Sequence, residues 1–290
     1  MRYRVRHLTA YSYAAPADAC HNVLRLTPRT CSGQICLEHH LDIDPAPATL
    51  HDYPDYFGNQ VRSFAVFAPH AQLTITSDSL VEVLPPKSRD LDDSEPWEET
   101  ARTLRTTNDT ATVAALEYIF DSPYVRESDH LRSVAAEHFA PKTPILAASR
   151  ALTKFIHQEF KFDALATTID TSTEDVLEKR RGVCQDFAHL QIGCLRSLGL
   201  ACRYVSGYLR TDPAPGRPRL EGADASHAWV SVYSARHGWV DFDPTNGCLA
   251  DERHITIGWG RDFHDISPVK GVVLGGGASE LRVAVDVLPV

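Results

Sequence analysis

No run of apolar residues in this chain approaches the roughly 18 to 20 that span a bilayer, so we expect no membrane partner and a cytoplasmic location. Basic charge is also scarce. Lys and Arg number 29 against 38 Asp and Glu, a net charge of -9 with no basic cluster, which argues against a nucleic-acid partner. Fourteen histidines are present, yet there is no C-x-x-C pair and no H-E-x-x-H, and adjacent His39 and His40 point apart on a strand. No metal is expected. The seven cysteines, an odd number without disulfide-scaffold spacing, fit a reducing compartment. There is no internal repeat. The one glycine cluster, Gly275-Gly276-Gly277, lacks the strand and helix context of a phosphate loop, so no cofactor is expected. The basic start Met1-Arg2-Tyr3-Arg4-Val5-Arg6 alternates like a strand with no apolar stretch behind it, unlike a signal peptide.

What is present suffices for an α+β protein with two cores: 290 residues, 43% hydrophobic and 23% charged. Alternating runs such as Gln72-Leu73-Thr74-Ile75-Thr76 and Leu80-Val81-Glu82-Val83-Leu84 give an amino-terminal antiparallel β domain over 1–85, closed by Pro85-Pro86. A connector with helices at 98–104, 111–120 and 130–139 fills 86–144, and the remaining unit is 145–290. Its first helix, 145–160, repeats apolar residues at three and four; a short one at 173–179 is capped by Ser172 or Thr173. A last strand is expected at 281–288.

The chemistry gathers at three residues. Cys184, in Gly182-Val183-Cys184-Gln185-Asp186-Phe187-Ala188, stands where a glycine turn opens a long apolar helix. The free N–H groups and partial positive charge of a helix start favour a thiolate, and an imidazolium strengthens that preference. A histidine follows in Ser226-His227-Ala228-Trp229-Val230-Ser231-Val232-Tyr233, whose alternation sets His227, Trp229, Ser231 and Tyr233 on one face. After Ser234-Ala235-Arg236-His237-Gly238 comes a second alternating run, Trp239-Val240-Asp241-Phe242-Asp243, ended by Pro244. With Tyr233 opposite Trp239, Trp229 faces Asp243, and Asp243 lies diagonal to His227 on one face. Asp241 is a further diagonal step away, and a slip of the turn would alter both separations.

These segments, together with Gly238-Trp239-Val240-Asp241-Phe242-Asp243-Pro244-Thr245-Asn246, resemble the bacterial transglutaminase-like family. The similarity extends outward to His7-Leu8-Thr9-Ala10-Tyr11-Ser12-Tyr13, Leu24-Arg25-Leu26-Thr27-Pro28-Arg29, Phe57-Gly58-Asn59, Gly260-Arg261-Asp262-Phe263 and Pro268-Val269-Lys270-Gly271, covering nearly the whole chain. The resemblance implies a papain-like core behind the β domain, a Cys184-His227-Asp243 triad, and acyl transfer from a peptide or protein amide through a thioester. Water as acceptor gives a cysteine peptidase or amidase; an amine gives transglutamination. The alternative is a non-catalytic peptide- or protein-binding module that keeps the fold.

Other residues have plainer expectations. Cys20, Cys31, Cys36, Cys194, Cys202 and Cys248 are read as core residues, as are Trp229, Trp239 and Tyr208. Asp186 is expected to cap the helix or anchor a loop, because an anion there opposes a thiolate, and His189 to be packed or hydrogen-bonded. The Cys184 N–H is an oxyanion donor by position, with Gln158 a weak side-chain candidate. The proline- and glycine-rich stretch 211–225 is expected to overhang the cleft or form an inert turn.

Overall fold

The computed structural model describes residues 1–86, 89–211 and 225–290. Five strands come first: β1 (Arg2–Leu24), β2 (Gln34–Asp44), β3 (Thr49–Pro54), β4 (Gln60–Val66) and β5 (His70–Val83). Four helices follow, α1 (Trp97–Thr106), α2 (Thr110–Leu116), α3 (Asp129–Ala136) and α4 (Ile145–Glu159). Then come β6 (Lys161–Phe162), α5 (Thr173–Lys179), β7 (Arg181–Gly182), α6 (Cys184–Ser197), β8 (Cys202–Leu209), β9 (Ala225–Ser234), β10 (Gly238–Asp243), β11 (Cys248–Leu249) and β12 (His254–Gly260). The described chain closes with β13 (Val269–Gly275) and β14 (Ser279–Pro289). The architecture is α+β.

The first sheet is antiparallel and built around β1, in which Tyr3, Val5, His7 and Thr9 are buried at every second position. Its register against β5 shifts between Ser12 and Ala17; the first half of β1 pairs β5 and β14, and the second half pairs β4 and β13. Residues 269–289, grouped with the core in the expected 145–290 unit, therefore return to the amino-terminal sheet. Alternation reveals which face of a strand is apolar, but not which distant strand it joins.

In the core, a five-stranded antiparallel sheet has the order β11-β10-β9-β8-β12. Helix α6 packs on β8 and β9 and is flanked by α3, α4 and α5. From Asp186 to Ser197 every residue of α6 is buried, which is the pattern of a helix covered on all sides. Phe187, Leu190, Ile192 and Leu195 are almost fully buried, each contributing roughly 1.5–3 kcal/mol by removal from water. Ser172 caps α5, its Oγ accepting the Asp175 N–H at 3.1 Å.

The two sheets meet where Tyr3, Val5, Val81, Val83, Val285 and Val287 pack on Tyr208, Ile255 and Ile257 of β8 and β12. Side-chain amides bind the outer edge of β12: Gln34 and Asn59 each pair with one residue's backbone N–H and C=O, at Thr256 and Trp259. Among the described residues no helix is long and apolar enough to cross a membrane.

Candidate active site

The start of α6 is fixed from its own first turn. Asp186 Oδ2 accepts the Val183 N–H at 2.8 Å and the Thr167 hydroxyl at 2.7 Å, closing the helix onto the preceding loop. Gly182 must be a glycine here, because a Cβ would meet Asp186 Oδ2 at 2.7 Å. This is the capping and loop-anchoring role expected for Asp186. Burial raises its pKa against the lowering effect of the Thr167 and Val183 hydrogen bonds. The first intrahelical bond runs from Phe187 N–H to Val183 O at 3.1 Å, so the Cys184 amide stands among the unpaired donors of the helix start.

Cys184 is half-buried and lies beside His227, whose charged form it favours. The hairpin that brings His227 there has the expected register, with Trp239 opposite Tyr233 and Phe242 opposite Val230. It carries Asp243 diagonally to His227, and His227 Nε2 donates to Asp243 Oδ2 at 2.7 Å. Asp241 is engaged elsewhere, accepting the Trp229 indole N–H at 3.1 Å. The structure thus brings Cys184, His227 and Asp243 together. With Nε2 turned to the carboxylate, Nδ1 is the ring nitrogen left for the thiol.

Asp243 is completely buried and encircled by donors. Its Oδ1 accepts the backbone N–H of Thr245 at 2.9 Å and of Asn246 at 3.1 Å; its Oδ2 also accepts from Asn246 Nδ2 at 2.6 Å and His254 Nε2 at 3.1 Å. Burial works against the anion, but hydrogen bonds from His227, His254 and Asn246 outweigh it and hold the carboxyl well below the usual range. For His227, burial disfavours the cation, while Asp243 and Cys184 outweigh burial and raise the pKa to about 10. The site is arranged to hold an imidazolium beside a buried carboxylate.

His254 and Asn246 are the residues the sequence did not single out. His254 begins β12 opposite Leu209, is 5% exposed and is raised in pKa: burial lowers it, and Asp243 and Asp251 more than reverse that. Donor atoms of His227, Asp243 and His254 lie within 4.8 Å of one another, a set that could ligate a metal. The same three atoms are satisfied as two N–H donors on one carboxylate oxygen, so the arrangement is also complete as a hydrogen-bond network.

The remaining candidates take supporting places. Trp229 is fully buried, its ring reaching Gly207, where a Cβ would lie 2.5 Å from the indole. His189 is packed against Tyr124 and Tyr204, accepts the Phe263 N–H at 3.2 Å, and is pushed down to about 4 by burial. Burial raises the thiols of Cys20, Cys36, Cys194, Cys202 (to about 12) and Cys248 (to about 11). Gln158 is exposed near the end of α4, beside His157, whose Nδ1 donates to Thr245 O at 2.8 Å. Residues 212–224 of the expected cleft loop lie outside the described residues.

Known proteins resemble this chain in sequence and in fold. The family described as the bacterial transglutaminase-like N-terminal region matches residues 3–82, and the transglutaminase-like superfamily matches 132–244. An uncharacterised protein of Mycobacterium tuberculosis is 43% identical over 296 aligned positions, covering 99% of this chain and 93% of its own. The chain belongs to the transglutaminase-like superfamily. A crystal structure titled as a putative cysteine protease of Cytophaga hutchinsonii shares the transglutaminase-like fold from end to end, with a TM-score of 0.78 at 20% identity, over 99% of this chain and 90% of that one. A protein-glutamine gamma-glutamyltransferase of Pseudomonas aeruginosa is 30% identical over 122 residues, 41% of this chain and 17% of its own length. The superfamily match stops one residue past Asp243, so Asn246, Asp251 and His254 lie outside both matched regions.

Proposed function

We propose that the protein is a thiol-dependent acyl-transfer enzyme acting on amide or peptide bonds, with Cys184 as nucleophile, His227 as general base and acid, and Asp243 as the carboxylate that orients the ring. The observation that carries this reading is the position of His227, bonded through Nε2 to buried Asp243 and set against the Cys184 thiol at the start of α6. The thiolate adds to the carbonyl carbon, and the imidazolium gives its proton to the nitrogen as the C–N bond breaks. Amine leaves and a thioester to Cys184 remains. Water, losing a proton to His227, then attacks the thioester; the S–C bond breaks and the acid is released. The Cys184 amide is placed to hold the developing oxyanion.

Hydrolysis is the preferred outcome because water needs no second binding site. The likeness to the Pseudomonas protein-glutamine gamma-glutamyltransferase favours an amine as a second acceptor. Both follow from one experiment: incubate a glutamine-containing peptide set with and without a fluorescent primary amine, measure ammonia, cleavage and amine incorporation, and search for an acyl adduct on Cys184 by mass spectrometry. Product formation lost in Cys184→Ala is expected. Equal product from Cys184→Ala, or none from any substrate with an unreactive thiol, overturns the enzyme in favour of a peptide-binding module.

A further inference from the structure

His254 sits between two carboxylates in an almost fully buried place. Its Nε2 is 3.1 Å from Asp243 Oδ2; its Nδ1 is 3.1 Å from Asp251 Oδ1 and accepts or faces the Asp251 backbone N–H at 3.0 Å. The Asp243 carboxylate, which can only accept, places a proton on Nε2, and the contacts at Nδ1 fit that in both charge states. In the neutral ring Nδ1 accepts from the amide and the proton is on Nε2; in the charged ring Nδ1–H donates to the Asp251 carboxylate and Nε2 is again protonated. Either way, a proton points at Asp243.

The ring cannot turn away easily. Trp229 packs against it edge to face at 5.3 Å, and Trp229 is itself held by Asp241 and admitted by Gly207. The strand that carries His254 is tied to the amino-terminal sheet through Gln34 and Asn59. The groups around the ring are Asp243 at the end of β10, His227 of β9, and Asp251 with its Arg253 partner in the preceding turn. Burying a polar ring here is costly unless it is bonded, and both of its nitrogens are bonded.

We propose that His254 is a positioning residue of the site: its Nε2–H fixes the Asp243 carboxylate so that the carboxylate holds His227 against Cys184, and it never meets the substrate. This rests on the acyl-transfer reading, since its consequence for chemistry passes through His227. Asn246 Nδ2 and two backbone amides also hold Asp243, so removal of His254 loosens the carboxylate without freeing it.

The test compares His254→Leu, which lacks the donor, with His254→Gln, which restores an N–H at similar reach. Two readouts are taken: the pH profile of Cys184 alkylation by iodoacetamide, and the hydrogen-bonded Nε2–H proton of His227 seen by NMR and assigned through His227→Ala. In His254→Leu we expect alkylation at pH 6 to slow by about tenfold, the low-field His227 resonance to shift or broaden, and kcat to fall with KM little changed; His254→Gln recovers most of each. A profile and resonance like those of wild type in His254→Leu, with only thermal stability lowered, reduce His254 to a structural residue and overturn the proposal. If His254→Leu does not fold, Asp251→Ala frees the far side of the ring while leaving it in place, and smaller changes of the same sign are expected; no change there also overturns it. A wild-type thiol that reacts like a free cysteine, with the His227 resonance still dependent on His254, sinks the enzymatic reading and leaves the positioning intact.

Discussion

Gln34 binds Thr256 at both ends of one residue: its Nε2 donates to Thr256 O at 2.7 Å, and its Oδ-equivalent, Oε1, accepts the Thr256 N–H at 2.8 Å. Asn59 does the same to Trp259, at 2.8 and 3.0 Å. Two side chains of the amino-terminal unit thereby act as single residues of a strand that the core sheet lacks beyond β12. The amino-terminal sheet is, in this sense, the outer wall of the strand that delivers His254.

The first prediction follows from that relationship. Gln34 and Asn59 are buried, so truncating either to alanine removes the partner of a β12 backbone N–H, at Thr256 or Trp259, and at Trp259 that of the C=O as well, while Thr256 O keeps the Arg29 N–H at 3.0 Å. Each of Gln34→Ala and Asn59→Ala is expected to lower unfolding free energy by about 1–3 kcal/mol. Urea unfolding monitored by tryptophan fluorescence measures this, and a loss below roughly 0.5 kcal/mol, the size of an ordinary surface change, would mean that water replaces the amides.

The cysteines give a second prediction that separates chemistry from exposure. In the native protein, iodoacetamide at mildly acidic pH should label Cys184 and leave Cys194, Cys202 and Cys20 untouched, since these are fully buried and their thiols are raised by burial. His227→Ala should slow the Cys184 reaction without exposing the others. Peptide mapping by mass spectrometry reads all seven positions at once. Unchanged labelling of Cys184 without its histidine would remove His227 from the activation of the thiol.

The hairpin was legible because it is local. Tyr233 and Trp239 flank a short turn, alternation fixes the faces, and Asp243 follows as the carboxylate diagonal to His227 while Asp241 falls one step too far. His254 was not, although it opens the alternating run His254-Ile255-Thr256-Ile257 with a polar face. Its pairing with Leu209 is a long-range event with no turn to set register, and nothing near it in sequence announces Asp243. The return of β13 and β14 to β1 is hidden for the same reason. Periodicity yielded the helices of the core closely, including α4 and α5, because their apolar spacing and caps are contained within each segment.

Asp186 provides a third prediction, in which two substitutions diverge. Its oxygen accepts two hydrogen bonds, and burial raises its pKa despite them, so the charge itself is disfavoured where it stands. Asp186→Asn keeps an acceptor for Val183 and Thr167 and removes an anion from the first turn of α6; stability should hold, and Cys184 alkylation at pH 6 should quicken. Asp186→Ala loses the cap and should cost about 1 kcal/mol. Thermal melting and alkylation rates distinguish them, and slower alkylation in Asp186→Asn would show that the carboxylate serves the thiol in some way beyond capping.

The last prediction concerns the charge of His227. Its folded pKa, about 10, exceeds the ordinary 6.5 because Asp243 and Cys184 outweigh burial. A histidine raised in this way stabilises the folded state fully below about pH 6.5, and that contribution fades as pH climbs toward 10, where the folded protein at last releases the proton. Comparing urea unfolding of wild type and His227→Gln at pH 6, 8 and 10 should therefore show a gap that narrows with rising pH. Turnover of an amide should fall over the same alkaline limb, since the leaving nitrogen needs the imidazolium proton. Asp243→Asn removes the anion and puts an NH₂ among five donors; it should cost about 3–5 kcal/mol and reduce kcat by roughly 10⁴-fold. A gap that stays constant from pH 6 to 10 would mean that folding leaves the ring at its ordinary pKa, neutral above about pH 7, and the proton delivered to the leaving amine at alkaline pH would have to come from another group.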